Sequence, residues 1–468
     1  MKVWLFNPPS PSSMGYTREG RCTQEAGAWA TQWPPISLAC AATMLLEDGH
    51  EVRIKDYSAV GQNASALYGE IRMDRPDIAL WSTGTPTFSF DLKLAGGIKS
   101  VSPETRTGVM GTHVSFVPEE AFQEPEIDFV IRHEPEEIIR NLCRKEGAPP
   151  GNVAGLSYRD GKNRRICHNP SAPFLDADSI PMPAWDLLDL DPYRLPLKGR
   201  KFLMVAPMRG CPYRCSFCTA SLYYGESPRY RPVENVLAEV MANVHRHRIR
   251  EFLVWADTFT LNRRYVQQFC QGLLEKQENL SWTCNSRVDT VDRETLKIMK
   301  KAGLWMISYG IESGNNAILK RSGKGITVEQ AKDAVSMAKE AGLRVAGHFI
   351  LGLPGETEET MNETLALALA LPLDVAQFYA AVPFPGTRLY EEALSCGWLK
   401  TAFGQSQNHA SLELPDLPSG RVEAFRRYAY RSFYRRPQVW GNMLSMMEMG
   451  AFRDIFLSLK RFSSWTSD

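Results

Sequence analysis

Cys211, Cys215 and Cys218 stand within eight residues, in the run Cys211-Pro212-Tyr213-Arg214-Cys215-Ser216-Phe217-Cys218. Thiolates are the soft ligands that clustered iron needs. Three on one short loop suit three corners of a cubic iron–sulfur cluster, and the fourth iron is then open to a small molecule with N and O donors. A structural zinc site wants a fourth protein ligand. No fourth cysteine lies near, and His245 and His247 sit far along the chain, on or beside a predicted helix. The remaining cysteines, Cys22, Cys40, Cys143, Cys167, Cys270, Cys284 and Cys396, share no ligand spacing and read as structural. Two of them have a second reading: Cys22 facing a cavity between domains, and Cys284 ending a strand near one.

Other chemistry-bearing residues fall at the ends of predicted strands. Asp257 follows Phe252-Leu253-Val254-Trp255-Ala256, Arg287 follows Asn285-Ser286, and Glu312 lies in Tyr309-Gly310-Ile311-Glu312-Ser313-Gly314. A carboxylate at the end of an apolar strand is hard to explain as core packing. Gly352-Leu353-Pro354-Gly355-Glu356-Thr357 follows another strand. Its glycines permit close backbone approach to a ligand, and Glu356 or Thr357 suits the start of the next helix.

These residues need a scaffold, and apolar periodicity predicts one. Strands are expected at 201–206, 251–256, 281–284, 305–309, 344–350 and 375–380, with helices at 233–245, 263–275, 293–301, 328–341 and 356–370. Six βα units are too few for a closed eight-fold barrel, so a partial, open barrel is expected over 201–380. Upstream, strands at 2–6, 51–57, 78–82, 106–110 and 129–132 alternate with helices at 36–47, 67–73, 90–100, 119–122 and 136–143. That pattern is a doubly wound, Rossmann-like parallel sheet over 1–145, whose ligands bind beyond the carboxyl ends of the strands. The loops there hold Pro8, the run Ser82-Thr83-Gly84-Thr85, Gly111, His113 and Glu134. No GxGxxG follows the first strand, which weighs against a dinucleotide fingerprint. The hydroxyl-rich loop suits either a large polar ligand or its own capping. Residues 146–200 read as a hairpin, turning at Asp160-Gly161, and a proline-stiffened linker. Residues 381–468 are a mixed, largely helical tail. The fold class is therefore α/β.

Composition bounds the partners. The 468 residues carry 54 Lys plus Arg against 53 Asp plus Glu, a net charge of +1. That offers no charge-based case for a nucleic-acid partner. No apolar run reaches 18 residues and the N-terminus does not read as a signal peptide, so a cytoplasmic protein is expected. The tail interleaves Phe384, Phe403, Tyr428, Tyr430, Phe433, Tyr434 and Trp440 with Arg426, Arg427, Arg431, Arg435 and Arg436. Two readings stand: an apolar wall with an anion clamp for a substrate, or a solvated helix covering the barrel. The Met443–Met449 run and the apolar residues after it read as a core helix or as a weak membrane contact.

The CxxxCxxC loop after the first strand of a six-fold βα barrel resembles the radical SAM superfamily. The resemblance implies a [4Fe–4S] cluster on Cys211, Cys215 and Cys218. It implies S-adenosylmethionine on the fourth iron, cleaved reductively to methionine and a 5′-deoxyadenosyl radical. Phe217 matches the residue packed near the adenine. Tyr309, Glu312 and Ser313 match the fourth-strand segment beside the nucleoside and methionine, and Gly352 the glycine turn of the fifth. Asp257 is expected at the amino group or on an arginine, and Arg287 at the methionine carboxylate or on Asp257. Glu312, Arg287 and Asp257 are the expected catalytic residues.

The preceding doubly wound domain looks like the cobalamin-binding class of these enzymes, on Asn7-Pro8-Pro9, Gly111-Thr112-His113, Glu134-Pro135-Glu136 and the linker Pro183-Ala184-Trp185. It is nearest to the branch with anaerobic magnesium-protoporphyrin ester cyclases and hopanoid-modifying enzymes. The loops with Pro8, Ser82, Thr83, Gly84, Thr85, Gly111, His113 and Glu134 are then expected around cobalamin. The DxHxxG signature is absent, so cobalt is expected without a histidine ligand, and His113 is a pocket hydrogen bonder or structural. The class implies C-methylation of a small, largely apolar substrate, or alternatively ring formation or rearrangement without methyl transfer. It also implies an electron donor such as flavodoxin or ferredoxin. The substrate is expected to be lipid-like, a tetrapyrrole or a natural-product intermediate. A non-catalytic corrinoid carrier would not need charged residues at the barrel strand ends, and RNA methylthiolation would want a second cysteine triad and a basic appendage.

Overall fold

The computed structural model describes residues 1–12, 15–19, 24–25, 31–144, 150–160, 165–196, 198–399, 406–448 and 451. Cys22, Phe403, Met449 and the chain after 451 lie outside the described residues. The first sheet begins with five parallel strands, in the order Glu51–Asp56, Lys2–Asn7, Ile78–Ser82, Arg106–Met110, Phe129–Ile131. Both faces are covered, which is why the central strands Lys2–Asn7 and Ile78–Ser82 read as apolar runs, whereas Glu51–Asp56 at the edge alternates apolar with charged residues. Val3, Leu5 and Leu80 pack on the side of helices Ile36–Glu47 and Glu136–Arg144. Trp4, Phe6, Ala79 and Trp81 pack on the side of Ala64–Asp74 and Phe88–Val101.

The hairpin expected in the linker does more than connect. Its strands Leu156–Arg159 and Ile166–His168 extend the first sheet, with Tyr158 antiparallel to Phe129. Phe129–Ile131 would otherwise be an edge with open backbone groups. Seven strands therefore stand in one sheet, and its last pairings are antiparallel.

The second sheet is parallel and runs in chain order: Phe202–Val205, Glu251–Val254, Ser281–Ser286, Leu304–Glu312, Arg344–Leu351, Val375–Ala380. This is the open, six-stranded barrel that the periodicity predicts. A short antiparallel ribbon, Met208–Arg209 with Arg229–Tyr230, flanks the cysteine loop.

The tail corrects one expectation. Phe384 borders a cavity at the barrel mouth, but Tyr430, Phe433 and Tyr434 do not wall a substrate site; they belong to helix Ser419–Tyr434, which lies along the last barrel strand. Phe378 donates its amide to the Tyr430 hydroxyl at 3.1 Å. The Tyr434 hydroxyl accepts from the Ala376 amide at 3.3 Å and donates to the Ala376 carbonyl at 2.9 Å. Two tyrosines thus stand in for the missing next strand. Arg426 is buried against Glu423. Met443 and Met446 are also buried, as a core helix requires. Among the described residues no helix is long and apolar enough to cross a membrane.

Removing either hydroxyl leaves a buried edge amide unsatisfied. Tyr430→Phe and Tyr434→Phe are each expected to cost about 1–3 kcal/mol, the second more because it frees both groups of Ala376. Chemical denaturation monitored by circular dichroism checks this.

Candidate active site

Cys211, Cys215 and Cys218 border one cavity of about 240 Å3 at the carboxyl ends of the barrel strands. The loop that carries them is fixed by backbone bonds at both ends. The Cys211 amide donates to the Gly225 carbonyl at 3.0 Å, and the Ser216 amide to the Ser322 carbonyl at 2.8 Å. Gly210 has φ +93°, and a Cβ there would approach the Ser227 carbonyl oxygen to 2.5 Å. Only glycine lets the loop start here. Among the described residues no three His, Cys, Asp or Glu side chains converge on a single metal-ion position.

Asp257, Arg287, Glu312 and Phe217 line the same cavity. The Asp257 carboxylate accepts the Gly210 amide at 3.1 Å, which anchors the start of the cysteine loop. Arg287 does not seek Asp257. Its Nε and Nη2 donate to the two oxygens of Asp289, both at 2.8 Å, and Nη2 also donates to the Lys324 carbonyl at 2.8 Å. The guanidinium lies 3.4 Å from the ring centroid of Tyr213, inside the CxxxCxxC run.

Glu312 adopts φ +68°, a left-handed conformation that a glutamate holds only where its surroundings enforce it. A register shift between Gly310 and Glu312 accompanies it. The enforcing partner is Lys324, whose Nζ donates to Glu312 Oε1 at 2.7 Å. Burial disfavours the ammonium, but the Glu312 carboxylate and the nearby Cys215 thiol together outweigh it and raise the Lys324 pKa above its usual value. The sequence reading missed Lys324. Its signal was the run Gly323-Lys324-Gly325, where both glycines have φ +69° and turn the lysine inward.

Three expected ligand residues lie elsewhere. Side chains alternate across a strand, so Ser308, Gly310 and Glu312 face the cavity while Tyr309 is fully buried on the opposite face. Ser313 bonds Thr364 of helix Glu358–Ala370 at 3.2 Å. Gly352 faces Val422, and its amide donates to Glu356 Oε2 at 2.6 Å. Glu356 accepts the Leu353 amide as well, and Thr357 makes the capping box of the next helix. Burial pushes the Glu356 carboxyl up to about 8, so it is largely protonated at neutral pH.

The strand ends of the first sheet are closed on themselves. The switch between Lys2–Asn7 and Ile78–Ser82, where open sheets take ligands, holds Arg18. Its guanidinium donates to both oxygens of Asp91, at 2.8 and 3.0 Å, and to the carbonyls of Pro8 and Pro9. The Thr83 hydroxyl also donates to Asp91, and Thr87 donates its amide to the Gly84 carbonyl. A Cβ at Gly111 would run into the Thr83 carbonyl. His113 is buried, with Nδ1 on Thr85 at 3.0 Å and Nε2 on Glu120 at 3.1 Å. Neither ring nitrogen is left for cobalt. A crevice of about 20 Å3 remains beside Arg18, Ser82, Thr83 and Gly111. Entry of a cobalamin nucleotide there requires the Arg18 side chain to move aside. Glu134 is likewise engaged, in a forked pair with Arg229.

A cysteine-triad loop on an open βα barrel, behind a doubly wound sheet, defines a class of two-domain redox enzymes. The Radical SAM superfamily model matches residues 205–368, and the B12 binding domain model matches 27–143. The chain is 34% identical over 446 residues to an uncharacterized methyltransferase of Pyrococcus horikoshii, covering 94% of each. It is 29% identical over 375 residues to the anaerobic magnesium-protoporphyrin IX monomethyl ester cyclase of Cereibacter sphaeroides, covering 78% of this chain and 61% of that one. The radical S-adenosylmethionine methyltransferase TsrM from Kitasatospora setae shares the fold, with TM-score 0.70 over 99% of this chain and 97% of that one, at 17% identity. The chain belongs to the cobalamin-binding radical SAM enzymes, in the branch related to the magnesium-protoporphyrin cyclases and the hopanoid methylase.

Two outcomes test this geometry. The side chains of Lys324 and Glu312 are 8% and 9% exposed, so solvent screens them little. Lys324→Met strands a buried carboxylate and is expected to cost about 3–5 kcal/mol. Adding Glu312→Gln should return part of that loss in a double-mutant cycle of urea midpoints. The second outcome concerns pH. Glu356 has a raised folded pKa, so its contribution is full below the unfolded value and is lost as pH rises through about 8. The stability of Glu356→Gln relative to wild type should therefore grow by up to about 1.4 kcal/mol per unit between pH 5 and 8. It should level off above that.

Proposed function

We propose that this chain is a C-methyltransferase acting on an unactivated carbon of a small, largely apolar molecule. Three thiols, the Glu312–Lys324 pair and Arg287 border one cavity, and this observation carries the reading. Thiols that border a cavity instead of meeting at a point suit a polynuclear group, here a [4Fe–4S] cluster on Cys211, Cys215 and Cys218. When bound, the cluster supplies the electron that cleaves S-adenosylmethionine, and cobalamin supplies the methyl carrier.

The chain's own residues hold and orient. Glu312 spends Oε1 on Lys324, and Oε2 has no partner among the described residues, which suits the cationic amino group of the methionine moiety. Arg287 spends Nε and Nη2 on Asp289 and Lys324, and Nη1 suits its carboxylate. Asp257 keeps the cysteine loop in place, and Phe217 offers its ring to the adenine. His113, with both nitrogens engaged, supports cobalt without a histidine ligand. In this reading residues 1–145 with the appended hairpin form the cobalamin unit, 201–380 the catalytic barrel and 381–468 its cover. The enzyme works in the cytoplasm with flavodoxin or ferredoxin as electron donor. Similarity to the ester cyclases supports a second reading: oxidative ring formation with the same cofactors and no methyl transfer.

Anaerobic reconstitution is expected to give about four irons per chain, and the triple Cys→Ala variant none. Full iron content in that variant would remove the cluster from these residues. With S-adenosylmethionine deuterated in its methyl group and a small-molecule cell extract, mass spectrometry should find a product carrying the label. An unlabelled new product alongside 5′-deoxyadenosine would instead select ring formation.

A further inference from the structure

We propose that the barrel lumen beneath the cysteine cavity is a blind pocket for an uncharged, apolar body of about bicyclic size. It does not admit a tetrapyrrole macrocycle. The proposal deepens the reading above and rests on it for the identity of the pocket's occupant as substrate. A second cavity of about 170 Å3 lies inside the barrel and shares Trp33, Asn285, Ser308, His348 and Tyr379 with the first. Its position follows from strand alternation. Leu253, Thr283, Met306, Ala346 and Val375 all line it. Asn285, Ser308, His348 and Tyr379 lie further along the same strands, toward the cysteine loop, and form a polar waist. There His348 Nδ1 and the Tyr379 hydroxyl are 3.2 Å apart, with their rings stacked at 10°.

The floor is what makes the pocket blind. Lys198, from the segment before the first barrel strand, donates to Glu251 Oε2 at 3.0 Å and to the Ser281 hydroxyl at 2.9 Å. Trp305 donates its indole N–H to Glu251 Oε1 at 2.7 Å, and the Lys198 Nζ lies 4.0 Å from its ring centroid. Glu251 and Ser281 open their strands and Trp305 is the second residue of its own. The floor therefore sits at the end opposite the cysteines. Its charges are spent on each other, so an incoming ionised group would lose hydration without a partner. The barrel residues between floor and waist carry no charge; a carboxylate that reaches the pocket from outside the barrel, Glu25, accepts from the Asn408 amide at 3.3 Å and repels an anion. What fits is a neutral hydrocarbon-rich body, with its hydrogen-bonding group left at the waist, next to the cavity where the cleavage chemistry is proposed.

The test uses the purified full-length chain and two probes of one shape. 1-Naphthol is neutral with one hydroxyl; 1-naphthoate is ionised. Quenching of tryptophan fluorescence should show saturable 1-naphthol binding, with 1-naphthoate at least tenfold weaker. Ala346→Trp fills the lumen and should weaken 1-naphthol at least tenfold, and the milder Ala346→Leu at least threefold. Equal binding of both probes, or naphthol affinity unchanged in both variants, overturns the proposal. If neither variant folds, the comparison of probes on the wild-type chain still decides. None of these readouts depends on iron content or methyl transfer. Failure of the methyltransferase reading with probe discrimination intact is thus separable from failure of the lumen proposal.

Discussion

The fold turns on an ion-pair grip between its two sheets. Glu136 is fully buried, and its oxygens take Arg209 Nη2 at 2.5 Å and Nη1 at 3.2 Å. Glu134, two residues earlier, takes both terminal nitrogens of Arg229, at 2.6 and 3.0 Å. Arg209 and Arg229 face each other on the ribbon that flanks the cysteine loop, and Arg209 stands two residues before Cys211. Breaking such a buried pair costs about 3–5 kcal/mol, because the remaining charge has no water to turn to. The last loop of the first sheet therefore fixes the first residue of the cysteine motif. Either unit alone would expose half of two buried pairs. Glu136 also opens helix Glu136–Arg144, where a carboxylate is favoured by the helix dipole, so its position is set before its partner arrives.

That grip was half legible. The run Glu134-Pro135-Glu136 stands out in the sequence, but nothing local says that its carboxylates face arginines some seventy and more residues away rather than a ligand. The central parallel strands were readable because burial on both faces leaves nearly unbroken apolar runs, and the cysteine loop because its ligand spacing is local. Parity was readable too. Counting in twos back from Glu312 puts Gly310 and Ser308 with it and sends Tyr309 to the other face, which a match to the whole segment overlooked. Lys324 was not readable: it lies beyond helix Asn316–Arg321, and only the folded turn brings its ammonium to Glu312.

The first sheet gives the opposite lesson. Its strand-end loops have the hydroxyls and glycines of a ligand site, and the topology has the switch point. The chain fills the place itself. Arg18 and Asp91 have fully buried side chains, and Asp91 gathers Thr83 and Thr87 around the pair. An arginine buried that deeply must satisfy most of its donors, and the carbonyls of Pro8 and Pro9 complete the set. Composition predicted polar loops; it did not predict that their partner would come from residue 18.

An open six-stranded barrel leaves three boundaries to manage: a free edge, an open floor and an open mouth. The tyrosines of the tail helix close the edge by bonding the backbone of Val375–Ala380 directly. Lys198 closes the floor, and because its partners Glu251, Ser281 and Trp305 stand at the starts of three different strands it also ties those strands in register. The mouth is left to the cysteine loop, held from outside by Glu136 through Arg209. Each closure uses charged or hydroxyl groups that burial forces to find partners, so each is specific in a way that apolar packing alone is not. Charged and hydroxyl groups seal the ends and uncharged, mostly apolar ones line the middle, and that division makes the lumen a pocket instead of a filled core.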